Sequence, residues 1–179
     1  MKVAFYISGH GLGHATSMAA VMEALVTATP SGGIFVRTEA PAWIFAAISP
    51  GHVHHTPVIL DAGVVEQDLF SQDVASTLRR CQHIAEQEGL QLARELEFVQ
   101  QAEIDVIVAD IPPLACDVGT AAGIPTICIS NFSWDFIYEA YAEKLPEFVA
   151  IPARCRGSYQ KDNLLLRLPF HHDMEAFDH

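Results

Sequence analysis

Two histidines in a glycine-rich turn are the residues of this chain best placed to do chemistry. The stretch Ser8-Gly9-His10-Gly11-Leu12-Gly13-His14 directly follows the apolar run Val3-Ala4-Phe5-Tyr6-Ile7. The run has the pattern of a buried strand, and Ala15 to Ala28 that of the helix after it. Glycines at 9, 11 and 13 let the backbone turn tightly and approach a ligand, and the helix N-terminus offers unpaired N–H groups to a polar or anionic group. His14 then stands in a binding crevice. Asp110 closes a second apolar run, Ile107-Val108-Ala109. If the two strands are neighbours, Asp110 and His14 come within hydrogen-bonding reach. A carboxylate that fixes the tautomer of an imidazole also raises its basicity, which suits a general base acting on a hydroxyl. The same aspartate stands where it can cap the helix opening at Pro112, and the two duties are compatible. A third strand end, Ser130 to Asp135, adds Asn131, Trp134 and Asp135 to Gly9, His10, Gly11 and Gly13 as candidate ligand contacts. Trp134 equally fits a packing role.

Other chemistries fit less well. Gly9-x-Gly11 matches the first half of a dinucleotide fingerprint, and Glu39 stands near where the ribose-binding acid would. The third glycine position, however, holds His14, and an imidazole there defeats the close helix–strand packing that glycine serves. No G-x-x-x-x-G-K-[ST] sequence exists, so a P-loop is excluded. The chain has nine histidines, but His52, His54 and His55 and the pair His171-His172 lack the spacing of a ligand set; no metal site and no cofactor are expected. Cysteines 81, 116, 128 and 155 form no CxxC pair and read as buried, reduced thiols.

The elements that must position these groups alternate. After the first strand and helix come a strand at Gly33 to Thr38, a short helix at Pro41 to Ile48, and an irregular or edge strand at His54 to Leu60, broken by Pro57. Asp61 to Asp68 reads as a polar loop. Val74, Leu78, Cys81, Ala85, Leu92, Leu96 and Val99 keep one register at spacings of three, four and, once, seven over about eight turns, which predicts a long helix. Gly89 falls in that register and marks a bend or a close contact. A strand at Ile104 to Ala109, a helix from Pro112-Pro113 to Ala122, and a strand at Pro125 to Ile129 follow. Asn131 to Trp134 then form a turn into a helix running to about Lys144, and a last strand spans Asn163 to Leu168. Apolar strands alternating with helices predict an α/β domain, a Rossmann-like doubly wound parallel sheet, with ligands outside the carboxyl ends of the strands. One domain spans residues 1–169. Phe170 to His179 shows no periodicity and reads as a linker or tail.

The bulk composition bounds the function. The chain has 179 residues, half of them apolar and 18% charged, with a formal net charge of −12. Intrinsic disorder is thereby excluded, and nucleic-acid binding disfavoured, since an acidic surface repels phosphate backbones. No run approaches the ~18 apolar residues of a membrane span and no leader is evident, so a soluble, cytoplasmic protein is expected.

Several blocks carry a family resemblance. Phe5-Tyr6-Ile7-Ser8-Gly9-His10-Gly11-Leu12-Gly13-His14-Ala15-Thr16 resembles the opening of GT-B glycosyltransferase N-terminal domains. More closely, it is similar to the glycosyltransferase-like N-terminal region of plant L-arabinokinases and their bacterial relatives. Leu60-Asp61-Ala62-Gly63, the stretch Val108 to Cys116, Asn131-Phe132-Ser133-Trp134-Asp135-Phe136-Ile137-Tyr138 and Leu166-Arg167-Leu168-Pro169 extend the resemblance over nearly the whole chain. It implies an acceptor-side domain, with His14 the base of an inverting transfer and Asp110 its orienting carboxylate. The partners it implies are a sugar-containing or other hydroxyl acceptor, with a membrane-surface acceptor compatible, and a nucleotide sugar held by a second domain. The donor half would be missing here, so the isolated chain is expected to be silent in catalysis. The face that half would cover would also serve a homodimer. Two other readings stand beside this one: a non-catalytic sugar- or nucleotide-binding module associated with a sugar kinase, and a dinucleotide oxidoreductase.

Overall fold

The structure, a computed structural model, describes residues 1–48, 51–68, 70–161 and 163–177. Strand β1 (Lys2–Ile7) lies at the centre of a six-stranded sheet, between β2 (Gly33–Arg37) and β6 (Val106–Asp110). Outside them lie β3 (Val53–Thr56) next to β2, and β7 (Thr126–Ser130) then β8 (Leu164–Arg167) beyond β6. Every pairing in this sheet is parallel. The expected Rossmann-like α/β architecture is therefore present. The chain winds outward from β1 through β2 to β3, then returns to β6 on the other side of β1 and winds outward again. The winding reverses between β1 and β6, and the carboxyl ends of two diverging strands leave a crevice there.

Both faces of the central strands are covered, which is why β1 is apolar from Val3 to Ile7 and β6 from Val106 to Ala109. Helix α1 (Gly13–Ala28) lays Ala15, Met18 and Met22 over one face, against Phe5, Ile7 and Val36. The opposite face, with Tyr6, Ile107 and Ala109, is buried by the long helix α2 (Val74–Gln101), α3 (Pro113–Ala122), α4 (Trp134–Ala142) and α5 (Ala150–Tyr159). Helix α2 starts where Asp73 accepts a hydrogen bond from the Ser76 amide at 2.8 Å, satisfying one of the free first-turn donors. Its expected stripe is present, with Leu78, Cys81 and Val99 buried. The stripe also buries Glu95, which takes Arg37 Nε at 2.9 Å and Nη2 at 2.5 Å and accepts the Tyr6 hydroxyl at 2.9 Å. Gly89 is not a close packing contact: a Cβ there would meet nothing within 4 Å.

Several expectations are corrected in detail. The helix predicted over Pro41 to Ile48 is a single 3-10 turn, Ala42–Ile44. Strand β3 stops at Thr56, because Pro57 cannot donate to the ladder, and it occupies a sheet edge as expected. The end of the predicted polar loop forms β4 (Glu66–Asp68), paired antiparallel with β5 (Ser71–Gln72). Histidines 54 and 55 lie on β3 and stack on Phe35 and Phe45. Helix α5 stands between α4 and the last strand, where the sequence pattern predicts no element. Residues after Phe170 pack onto the domain: Met174, Ala176 and Phe177 are buried, and the Phe177 ring stacks on Tyr159 at 4.8 Å. Asp178 and His179 lie outside the described residues.

Candidate functional site

Registration of β1 on β6 places Ile7 opposite Asp110, and the Ser8 amide donates to the Asp110 carbonyl at 2.8 Å. The chain then turns through Gly9 to Gly13 and enters α1 with His14 in its first turn. The three glycines do different work. Gly9 passes close to Glu39, where a Cβ would come within 3.1 Å of the Glu39 Cβ; Gly11 has φ +67°, a conformation other residues rarely adopt; Gly13 faces open space. No side chain caps α1, so its first-turn amides stay available at the crevice.

His14 Nδ1 lies 3.1 Å from Asp110 Oδ1, with side-chain exposures of 12% and 4%. The expected pairing is therefore formed. The alternative duty of Asp110 is not taken up: Pro112 is the N-cap of α3 and no side chain caps that helix. Burial alone would lower the His14 pKa, but the hydrogen bond and charge of Asp110, helped by Asp61, hold it above 6.5. Its Nε2 has no hydrogen-bond partner among the described residues. The imidazole also sets its edge against Phe132, at 5.4 Å between centroids.

Sequence reasoning passed over Asp61 as a site residue. It follows β3 and is buried; its Oδ1 accepts the Ser8 hydroxyl at 3.0 Å and the Gly63 amide at 3.1 Å, and its Oδ2 accepts the Trp134 indole N–H at 3.2 Å. Burial pushes its carboxyl up to about 6, against the pull of Ser8, the His14 charge and Trp134. The signal that points to it is positional: a carboxylate just after a strand, beside a glycine. Gly63 itself has φ +58°, and a Cβ there would fall 2.8 Å from the His10 Cβ, so only glycine lets the two loops meet.

The other candidates divide. His10 ties those loops together, its Nδ1 accepting the Val64 amide at 3.3 Å and its ring edge resting on Trp134; burial and the His14 charge lower its pKa. Trp134, 1% exposed, both packs and polarises: it stacks on Tyr138 at 5.3 Å and donates to Asp61. Asp135 turns away to Arg156 of α5, with Nε 3.4 Å from Oδ2. Asn131 is exposed at the end of β7, and its carbonyl accepts the His172 amide at 3.2 Å. Among the described residues, no group of three or more histidines, cysteines or acids is gathered to hold a metal ion. The arrangement is thus a histidine–aspartate dyad at the switch point, with a second, buried carboxyl, Asp61, whose charge acts on His14.

No protein-family model matches the chain. It is 33% identical over 177 residues to the L-arabinokinase of Arabidopsis thaliana, covering 97% of this chain and 17% of that protein. Among solved structures, its fold is similar to that of Arabidopsis thaliana UGT89C1 complexed with UDP-L-rhamnose, with a TM-score of 0.52 and 10% identity. That match covers 92% of this chain and 44% of the other. Phytolacca americana UGT2, complexed with UDP-2-fluoro-glucose and pterostilbene, matches with a TM-score of 0.50 and 16% identity over 83% of this chain and 35% of that one. The chain thus spans about a sixth of its plant relative. It is a homologue of a region of L-arabinokinase, folded as the Rossmann-like unit found in GT-B UDP-glycosyltransferases.

Proposed function

We propose that this chain is the acceptor-binding half of a nucleotide-sugar-dependent glycosyltransferase, with His14 as its general base. The observation that carries the reading is the 3.1 Å contact between His14 Nδ1 and Asp110 Oδ1, which leaves Nε2 to act on a ligand. In the proposed reaction an acceptor hydroxyl gives its proton to Nε2 while its oxygen attacks the anomeric carbon of the donor. The bond from that carbon to the nucleoside diphosphate breaks, the diphosphate leaves as an anion, and the configuration inverts. Asp110 keeps the proton-bearing nitrogen turned inward and stabilises the imidazolium as it forms. The ligands named with the two solved structures support a nucleotide sugar and a hydroxyl acceptor as the substrate classes. The donor would sit on a second domain, joined or separate.

The test uses the chain alone and the chain with its donor-binding half. Alone, it should transfer from no nucleotide sugar, and turnover without a partner would defeat the half-site reading. With the partner, His14→Ala should cut kcat by roughly 10²–10⁴-fold while acceptor binding persists. The sugar-kinase relative supports a second reading, a recognition module in which His14 only hydrogen-bonds a sugar or nucleotide. In that case His14→Ala abolishes binding, and no context gives transfer.

A further inference from the structure

His172 anchors the residues after Phe170 to helix α4. The Ser133 amide, at the N-cap of α4, donates to its Nε2 at 3.1 Å, and the Met174 amide donates to its Nδ1 at 3.0 Å. Its ring stacks on Phe136 of α4 with 4.1 Å between centroids, and its own amide donates to the Asn131 carbonyl. Beyond it the chain runs into Met174, Ala176 and Phe177, all buried. Both ends of this segment bear on parts that support the dyad. Phe177 stacks on Tyr159, whose hydroxyl donates to the Ile111 carbonyl at 2.7 Å, one residue from Asp110. Ser133 follows Phe132, the ring against which His14 rests.

A proton on this ring works against the anchor. Neutral imidazole has one bare nitrogen, so it meets one of the two amides at a time; imidazolium has none, and turns an N–H group toward each donor. The Ser133 hydroxyl, 3.5 Å from Nε2, lies at the limit of hydrogen bonding and compensates little. The N-terminus of α4, with its partial positive charge, also opposes a cation there. The charged groups around the ring pull both ways. Burial and His171 disfavour the charged ring, Asp135 of α4 and Asp173 favour it, and the balance holds its pKa below 6.5. Arg156 of α5 draws on the Asp135 carboxylate, with Nε 3.4 Å from Oδ2, and Arg167 of β8 donates to the Asp173 carbonyl, adding positive charge to the segment. We propose that residues 171–177 form a proton-sensitive strap, closed on α4 by neutral His172 and released when that ring is protonated. Closure is complete above pH 6.5 and is lost as pH falls through the lowered pKa. The proposal concerns the strap alone and stands whether or not the transfer reading does.

Amide hydrogen exchange reads the strap directly. From pH 7.5 to about pH 5, the protection of the Met174 and Phe177 amides, taken against their intrinsic rates, should fall about tenfold. Its midpoint should coincide with that of the His172 ring in an NMR titration. The amides of β1 should lose none, which separates release of the strap from global unfolding. In His172→Asn a side-chain oxygen can take the Met174 amide without titrating, and in His172→Gln a longer side chain can reach the Ser133 amide. In at least one of these variants, protection at the lower pH should equal that at the higher. Wild-type protection that stays constant overturns the proposal. So does a loss that β1 shares, a tenfold loss that persists in both variants, or a strap open in both at every pH, which would make the ring a packing group only.

Discussion

Replacing Asp61 with asparagine tests whether its carboxyl is held against its preference. In the folded chain Asp61 ionises at about 6, against 3.8 for the free group, chiefly because it is buried. Between those values the folded state keeps a proton that the unfolded chain has released. Its contribution to stability is therefore complete below about pH 4 and is lost as pH rises through 6. Moving a carboxyl that far amounts to roughly 3 kcal/mol. His14 acts in the same direction: with its pKa held above 6.5, its contribution is present below 6.5 and lost as pH climbs through the raised value. Asp61→Asn keeps an oxygen to accept Ser8 and Gly63 but sets an amide N–H group against the Trp134 indole, a cost of about 1–3 kcal/mol that does not vary with pH. Urea unfolding from pH 4 to 8 should find the variant less stable at pH 4, and the gap should close or reverse by pH 7. The total change in the difference should approach 3 kcal/mol. A stability difference that stays flat across this range would refute the reasoning.

Other perturbations reach different parts of the fold. Asp110→Asn removes the charge that holds the His14 pKa up, so burial should take it below 6.5; an NMR titration of the imidazole reads this, and an unmoved pKa counts against the pairing. Glu95→Ala leaves the Arg37 guanidinium buried without its partner and should cost about 3–5 kcal/mol in urea unfolding. The double change Glu95→Leu with Arg37→Met should recover most of that loss. Phe177→Ala should cost about 3 kcal/mol and lower Tm by on the order of 10 °C in a calorimetric scan, whereas a loose tail would show no change.

The parts of this molecule that local pattern could reveal were those where pattern and packing agree. The runs before Ser8 and Asp110 are apolar at every position because the strands are covered on both faces, and their ends mark the crevice without further information. That both runs are neighbours, and so bring His14 to Asp110, follows from the doubly wound topology. Helix α5 has no legible period because Pro152 and Gly157 sit within ten residues and its buried side, Pro152, Cys155, Ser158 and Tyr159, carries no leucine, isoleucine or valine. The end of the chain has no period of its own. Met174 and Phe177 are buried because Tyr159 and its neighbours, distant in sequence, present a surface for them. Asp61 is the instructive omission: its environment comes from Ser8, Gly63 and Trp134, on three separate segments, and no window of sequence contains them together.

The pairing of β1 with β6 also governs when the site can exist. The Lys2 amide donates to a side-chain oxygen of Asp105, 103 residues away, and the ladder that follows carries Ile7 to Asp110. Closing so long a loop costs chain entropy before any contact is made, and parallel strands joined in this way place the protein among slow folders. A nascent chain that ends before β6 can build β1, α1, β2 and β3, and it would display the glycine turn with His14 beside an unfilled strand position. The dyad is therefore a late product of folding. Its imidazole signal in a refolding experiment should appear with the global transition and not with the first helices.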